Sequence, residues 1–237
     1  MQSRTPTSVL VLVTVAALVA CSDSDNPLAT AQANTTVRFF NAVSTLALDI
    51  AQNGTVISGT GNIPFGSAST CMRVNDANPQ LSIRAAGTTT DLTGFTPSFS
   101  AGNTYTVLVT GTAAAAPVFT TLDDQFTPSG ANTAGVRIVN ATTGAGTGTW
   151  DIYVNPSATL GTPNATAIAR NSASPFLVVP AGQTNTLRLT NAGQTDRLQD
   201  IAVPSLASGT ATTIVVTDPV AAGGTALDAF TLPACPT

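Results

Sequence analysis

The strongest constraint on the fold is that the chain repeats itself. The segment VRFFNA at 37–42 recurs as VRIVNA at 136–141, and three further pairs of segments follow in the same order in both halves. They are LDI and WDI, GSAS and NSAS, and PSFSAGNTYTVLVT and PSLASGTATTIVVT. Because the copies lie about a hundred residues apart, each has the size of a domain rather than of a solenoid repeat. The repeat therefore predicts two tandem domains, at 35–130 and 135–237.

The ends of the copies also match in composition. TTLDDQFTP closes the first copy and TALDAFTLP closes the second, while TPSGANTAG at 127–135 has the turn-rich composition of a linker. A flexible linker between two domains predicts a small interface between them.

The composition favours strands over helices. Lysine and glutamate, the usual surface residues of helices, are absent, and Thr, Val, Ala, Gly and Asn take their place. Each copy alternates short β-rich runs with turn clusters such as QNGT and NAGQ, which predicts six or seven strands. The expected fold is all-β, with two tandem immunoglobulin-like β-sandwich domains.

The same absences exclude most catalytic chemistry. Histidine is missing, so the chain has no Ser-His or Cys-His pair, and without lysine it has no Walker A loop or Schiff base. Aspartate-only hydrolysis is what remains. We expect no enzyme activity, no cofactor and no metal. The formal net charge of −4 also disfavours nucleic acid as a partner.

The N-terminus has the features of a bacterial lipoprotein signal. A positive start with Arg4 precedes an apolar run at 9–20, which is too short and too early for a membrane span. The run ends Leu-Val-Ala-Cys, which resembles a lipobox and implies that Cys21 is acylated and becomes the new N-terminus. We therefore expect a lipoprotein signal peptide at 1–20, then the lipidated cysteine and a flexible tether at 21–34. The alternative is an ordinary secretory peptide followed by a chance cysteine.

An acylated Cys21 makes the membrane the first expected partner. Acyl chains such as palmitate contribute about 0.8 kcal/mol per buried methylene, so several chains hold a protein stably. In lipoproteins an aspartate directly after the cysteine can retain the protein in the inner membrane, whereas this chain has Ser22. We therefore expect a protein of the bacterial cell envelope, anchored in the outer membrane on its periplasmic or surface face.

A family resemblance follows from the opening V-R-x-x-N-A and from the later strand Asp-Ile-Tyr-Val with its asparagine. These motifs resemble the bacterial domain-of-unknown-function family 4397, whose members occur singly or in tandem in secreted and surface-anchored proteins. The resemblance covers 36–130 and 135–233, and the first copy departs from it by having Ala51 where the second has Tyr153. It implies a fold and a location, and it supplies no catalytic residue.

Two aromatic residues are candidates for ligand contact. Trp150 is the only tryptophan and would suit a sugar-binding platform, but strand alternation groups it with Ile152 on an apolar face. The first copy has Leu48 at the matching position, so we expect Trp150 in the core. Tyr153 falls on the opposite, polar face and is the better candidate for a surface contact.

Repeated charged residues form a second set of candidates. Arg38 and Arg137 occupy one repeat position, and Asp49 and Asp151 occupy another. Each pair could line a ligand pocket, but an internal Arg–Asp bridge between neighbouring strands is the preferred interpretation.

Three aspartates near the domain ends suggest a calcium site. Asp123, Asp124 and Asp228 offer the hard oxygen ligands that calcium prefers, and calcium stiffens the linkers of some surface sandwiches. However, the ion needs six to eight oxygens. Polar domain ends without metal are the preferred interpretation.

Cys71 and Cys235 are the thiols that remain after Cys21 is acylated. Outside the cytoplasm thiols tend to oxidise, so a bridge between them is expected. It would join the first domain to the C-terminal tail of the second. Two buried free thiols and an intermolecular link are the alternatives.

Three functions are compatible with these features. The leading one is a non-catalytic envelope or cell-surface module that binds protein or glycan. The second is a passive spacer or scaffold of the envelope, and the third is an aspartate-dependent hydrolase. A shared concave or aromatic patch would favour the binding module, and two converging carboxylates would favour the hydrolase.

Overall fold

The computed structural model describes residues 35–74, 77–112, 116–144, 148–219, 226–232 and 234–235. The predicted signal peptide, the tether and Cys21 lie outside the described residues. The described part of the chain is all-β, as the sequence predicts, and folds into two β-sandwich domains. None of the described residues forms a helix long and apolar enough to cross a membrane. One compact unit runs from Ala31 to Thr237 and contains both copies of the repeat.

Copy one has nine strands in its described residues, where the sequence predicts six or seven. They are β1 (Thr35–Ser44), β2 (Leu48–Gln52), β3 (Thr55–Val56), β4 (Ser67–Ala68), β5 (Met72–Val74), β6 (Leu81–Ala85), β7 (Asp91–Phe95), β8 (Thr104–Thr112) and β9 (Val118–Asp123). The additional strands are two or three residues long, too short to show an alternation of apolar and polar residues. The inner sheet has the order β4-β1-β8-β9, with β5 also paired to β1, and the outer sheet has the order β3-β2-β6-β7.

Copy two repeats this arrangement strand for strand. Its described strands are β10 (Thr133–Asn140), β11 (Trp150–Val154), β12 (Ala165–Ile168), β13 (Ser172–Ala173), β14 (Leu177–Pro180), β15 (Asn185–Asn191), β16 (Arg197–Val203), β17 (Ala211–Thr217) and β18 (Asp228–Leu232). Its inner sheet is β13-β10-β17-β18 with β14 on β10, and its outer sheet is β12-β11-β15-β16. In both copies the first strand pairs in parallel with the eighth, and the other pairings are antiparallel.

The first strand of each copy is buried on both faces. In β1, Val37 and Phe39 point into the core of their own sandwich, whereas Arg38 and Phe40 point to the other side of the inner sheet. Successive side chains of a strand alternate between the two faces, so an inner strand with no polar face must be covered twice. Copy one has its own core on one side, and copy two covers the other.

The two inner sheets pack against each other through a shared apolar cluster, which we call the seam. Its buried members come from both copies: Phe40, Ala42, Leu108, Leu122, Val139, Ala141, Val215 and Leu232. The expectation of a flexible linker and a small interface is therefore wrong. The expectation fails because the faces of β1 and β10 that point away from their own cores carry apolar residues. Two independent sandwiches would leave these residues exposed to water.

Strand pairing also corrects the alignment of the two C-terminal segments. Thr106 pairs with Leu122 in copy one, and the equivalent Thr213 pairs with Leu232 in copy two. Leu122 is therefore equivalent to Leu232, although the Leu-Asp match in the sequence aligns it with Leu227. The connection before β18 is longer than the one before β9. The similar Leu-Asp segments of the two copies therefore lie at different positions along the paired strands.

Candidate binding cleft at the seam

The repeated aspartates hold loops and do not pair with the repeated arginines. The Asp49 carboxylate accepts hydrogen bonds from the backbone amides of Asn62 at 2.6 Å and Gly87 at 2.9 Å. Both of those residues have positive φ, near 53° and 76°. Since Asp49 lies on the outer sheet and Arg38 on the inner sheet, the whole sandwich core separates them. The preferred prediction of an Arg38–Asp49 bridge is therefore wrong, as is a pocket formed by that pair.

The equivalent aspartate of copy two makes the same contacts. Asp151 accepts from the backbone amides of Ala167 at 2.9 Å and Gly193 at 2.8 Å, and these residues also have positive φ. The prediction of an Arg137–Asp151 bridge or pocket is wrong for the same reason. Retention of the aspartate in both copies reflects a structural role, because a carboxylate on two amides stabilises loops with strained backbone.

The two repeated arginines meet at the seam on one carboxylate, that of Asp124. Arg38 Nε donates to Thr106 Oγ1 at 2.8 Å, and Thr106 Oγ1 donates to Asp124 Oδ2 at 2.6 Å. Arg38 Nη2 lies 3.6 Å from the same carboxylate oxygen. Arg137, from the other copy, donates through Nη2 to Asp124 Oδ1. Both arginine residues are only 4% exposed.

Arg137 is held in a different way from its counterpart. Its Nη2 also donates to Thr213 Oγ1 at 2.9 Å, and its Nη1 donates to the Asp123 carbonyl at 2.7 Å. Its Nε is buried and has no hydrogen-bond partner among the described residues. The guanidinium carbon lies 4.6 Å from the centre of the Phe176 ring, which is cation–π distance.

Two guanidinium groups in one buried site affect each other. Burial lowers the pKa of Arg38, the Asp124 carboxylate opposes that shift, and the positive charge of Arg137 adds to it. Removal from water penalises each charge, and the repulsion between the arginines is offset by the carboxylate they share. Asp124 therefore has a central electrostatic role, which its sequence position did not reveal.

A cleft of about 280 Å³ opens beside this cluster, between the two copies. Its described lining residues come from both: Arg38, Thr104, Asp124, Gln125, Phe126, Phe176, Gly209, Thr210, Ala211, Thr212, Thr213, Leu232, Ala234 and Cys235. The walls combine threonine hydroxyls, two half-buried phenylalanines and an arginine, a mixture suited to a small polar ligand. Asp124 is the only acidic side chain in this lining.

A disulfide bond joins Cys71 and Cys235 next to the cleft, with Cα atoms 5.9 Å apart. It connects the residue before β5 in copy one to the segment after β18 in copy two. The position equivalent to Cys71 is Phe176, whose ring packs against that of Phe126 at a centroid distance of 5.5 Å. One side of the seam therefore has a covalent link where the other has an aromatic contact.

The two aromatic candidates are both buried. Trp150 is 0% exposed and lies in the core of copy two with Ile152, as predicted. Tyr153 is 7% exposed, so its prediction as a surface contact is wrong. It does lie on the outer face of its sheet, where it is paired with Arg188 of β15, but neighbouring groups cover that face at its position. All the Trp, Tyr and Phe residues belong to the described part of the chain, and each is buried or half-buried.

The candidate calcium ligands have protein partners instead. Asp124 binds arginine, while the Asp123 carboxylate accepts from the Gln125 amide at 2.9 Å and from Asn103 Nδ2 at 3.0 Å. Asp228 begins β18, paired with Thr217. Within the described residues no group of three or more acidic or cysteine side chains is placed to hold a metal ion.

Residues of the V-R-x-x-N-A motif can now be assigned structural roles. Its asparagine closes the connection to the next strand: Asn41 Nδ2 donates to the carbonyls of Leu46 at 2.6 Å and Ile63 at 2.9 Å. Asn140 does the same in copy two with Gly148 and Ile168.

Residues 35–147 match the model of a domain of unknown function, DUF4397. This match confirms the resemblance over one copy, and its extension to 135–233 stays a prediction.

Two of the solved structures that the chain resembles are distant from it in sequence. One is the family CBM26 module CBMbc of Eubacterium rectale Amy13K in complex with maltoheptaose, 14% identical, covering 86% of this chain and 98% of that one, with a TM-score of 0.27. Another is an α-glucan-binding streptococcal virulence factor, 10% identical, covering 79% and 95%, also with a TM-score of 0.27. TM-scores this low support no conclusion about fold or ligand. No curated protein matches the chain.

Proposed function

We propose that this protein is a non-catalytic binding module of a bacterial cell envelope, held at the outer membrane by an acylated Cys21. The lipobox-like sequence at 18–21 and the polar tether behind it support the anchor. The seam cleft supports the binding role, because it joins hydroxyl, aromatic and cationic groups in one concave site. Its partner is a protein or glycan of the envelope.

The arrangement of carboxylates supports a non-catalytic role. A glycosidase needs two carboxylic groups facing each other across its substrate, about 5 to 9.5 Å apart. The described lining of the cleft contains one, Asp124, and two arginines already bind it.

A passive spacer is the second candidate function, and two observations favour it. The copies share a buried apolar cluster and are joined by the Cys71–Cys235 disulfide, which together make a rigid body. None of the aromatic residues forms an exposed platform of the kind that stacks on sugar rings. A spacer would use its rigidity and leave the cleft without a partner.

The anchor is tested by expressing the full chain in a bacterial host. The protein should partition into detergent, lack residues 1–20 and carry acyl chains on Cys21, whereas Cys21→Ser should be poorly processed and soluble. A mature wild-type protein recovered from the periplasm with an unmodified thiol at Cys21 would contradict the anchor.

The binding role is tested with the soluble fragment that starts after Cys21, on a glycan array and in envelope pull-downs. Thr210→Arg places a bulky side chain in the cleft and should reduce capture of the partner at least tenfold. Thr88→Arg is the matched control, because each threonine is exposed in a turn and donates to a carbonyl three residues earlier at 2.8 Å. No specific capture, or equal capture by both variants, would favour the spacer.

A further inference from the structure

The chemistry of the ligand follows from a pseudo-two-fold relation between the copies. Equivalent positions contact each other in both directions across the seam: the Phe230 ring lies against Gly66, where an added Cβ would come within 2.4 Å of it, and the equivalent Thr120 donates to the carbonyl of Asn171, the residue equivalent to Gly66, at 2.8 Å. A two-fold interface makes every contact twice, once from each side. Any contact that occurs on one side only is therefore informative.

The carboxylate that binds the arginines occurs on one side only. Asp124 lies two residues after Leu122 and contacts both arginines, and Ala234 lies two residues after the equivalent Leu232, where the described pairing of β18 ends. The Ala234 methyl group lines the cleft. The arginines are present in both copies, whereas the acidic side chain is present in one. A symmetric seam would have a second carboxylate where the cleft lies.

The two arginines differ in the way this asymmetry predicts. Arg38 uses Nε to reach the threonine hydroxyl of its neighbouring strand, which leaves its Nη2 facing Asp124. Arg137 must use Nη2 for both its threonine, Thr213, and Asp124, and its Nε has no described partner. A carboxylate beside Ala234 would let Arg137 adopt the geometry of Arg38, in which Nε donates to the threonine hydroxyl and Nη2 faces the carboxylate.

We propose that the cleft binds the carboxylate of a small polar molecule, seated beside Ala234 in the position that the pseudo-two-fold axis relates to Asp124. The inference rests on the proposed binding role of the same cleft. Arg38 and the hydroxyl of Thr213, which accepts from Arg137 and can donate to a carboxylate, would face the ligand from the wall. A volume of about 280 Å³ is at the small end of ligand sites, so the ligand is one residue in size, such as a hexuronate or an amino acid with a free carboxylate.

Calorimetric titration of the soluble fragment tests the charge requirement. The probes are D-glucuronate and N-acetylglycine, with D-glucose and N-acetylglycinamide as neutral matches. We expect at least one carboxylate to bind at least tenfold more tightly than its neutral match and to weaken as salt is raised. Preference for glucuronate would identify a glycan source, and preference for N-acetylglycine a peptide source. Equal affinities within both pairs, or no binding of either carboxylate, would overturn the proposal.

Substitution of Ala234 tests the position. Ala234→Asp supplies the second carboxylate from the chain itself, so it should abolish carboxylate binding and raise the midpoint of thermal unfolding. Ala234→Asn has the same shape without the charge and should weaken binding far less. Similar behaviour of the two variants would contradict the proposal. If Thr210→Arg still blocks capture of an envelope partner in that case, the binding role stands and only the carboxylate chemistry fails.

Discussion

Copy one and copy two place equivalent strands at the seam but different side chains on them. Copy one contributes Asp124 and Cys71, and copy two contributes Ala234 and Phe176 at the same positions. The sandwich cores are more alike, since each is built from aliphatic residues on the matching faces of the same strands. Each core must be filled in full, whereas one member of each symmetric pair of seam contacts is enough to hold the copies together. Side chains at the seam can therefore differ between the two copies, whereas those of the cores cannot.

The largest expected effect comes from removing the covalent contact of the seam. Cys71→Ser combined with Cys235→Ser opens a loop with a sequence separation of 164 residues, which the chain-entropy model values at about 5 kcal/mol. Denaturant unfolding should show a loss approaching that value. Peptide mapping after alkylation without reductant verifies the bridge in the wild type. A loss below about 1 kcal/mol would mean that the aromatic side of the seam holds the copies without it.

The shared carboxylate should have the next largest effect. Asp124→Asn leaves two buried arginines without their counter-charge and should lower the free energy of unfolding by about 3 kcal/mol. The neighbouring Asp123→Asn is the control, because its exposed side chain makes only local hydrogen bonds. Adding Ala234→Asp to Asp124→Asn should restore most of the loss, since it moves the carboxylate to the other copy. Failure of this rescue would contradict the pseudo-two-fold equivalence of Asp124 and Ala234.

A smaller effect is expected at the turn residue before the short fourth strand of each copy. Gly66 has a φ of 73°, and a Cβ there would lie 2.4 Å from Cε1 of Phe230. Gly66→Ala should therefore cost about 1–2 kcal/mol of folding free energy in thermal or denaturant unfolding. The equivalent Asn171 has a φ of 56° and faces Thr120 in place of Phe230, so Asn171→Ala should cost less. Equal effects at both positions would mean that contact with Phe230 contributes nothing to the cost.

The smallest effect concerns the ion pairs of the outer sheets. Hydrogen bonds from Arg84 to Asp91 and from Arg188 to Asp200 lower the pKa of each carboxyl group below its ordinary value. Because the folded pKa values are depressed, the unfolded state takes up protons first. Stability from these pairs is present above about pH 4 and is lost as the pH falls through the folded values. Arg188→Gln should flatten this acid dependence, and an unchanged profile between about pH 2 and 5 would contradict the prediction.

The arginines of these two ion pairs also lie at different positions along equivalent strands. Asp49 pairs with Arg84 across its ladder and the equivalent Asp151 pairs with Thr190, so Arg188 lies two residues before the position of Arg84. Both copies thus join an arginine on a central strand to an aspartate on an edge strand, but at different rungs. The surroundings of the arginines differ as well, since Arg84 is buried and also donates to the Gly54 carbonyl at 2.9 Å, whereas Arg188 is half-buried.

Local patterns predicted the class of fold and the sandwich cores. The alternation that groups Trp150 with Ile152 was enough to place them inside, since a strand presents its alternate residues to one face whatever lies beyond it. Repetition of Asp49 and Asp151 marked residues with a shared role, but the partners predicted for them were wrong. Tyr153 was assigned to the surface from the same alternation, which distinguishes the two faces of a sheet and does not reveal what covers the outer one.

The structural elements could be predicted from the sequence: an all-β chain, two copies of one sandwich, and apolar residues at the alternate positions that fill each core. These follow from periodicity and from the absence of lysine and glutamate, the usual surface residues of helices, and both signals act within a few residues along the chain. The sequence could not predict that the inner sheets face each other, that Arg38 and Arg137 share Asp124, or that a cleft opens beside Ala234. Those contacts join residues that are distant in sequence, and they depend on which sheet faces meet and in which register.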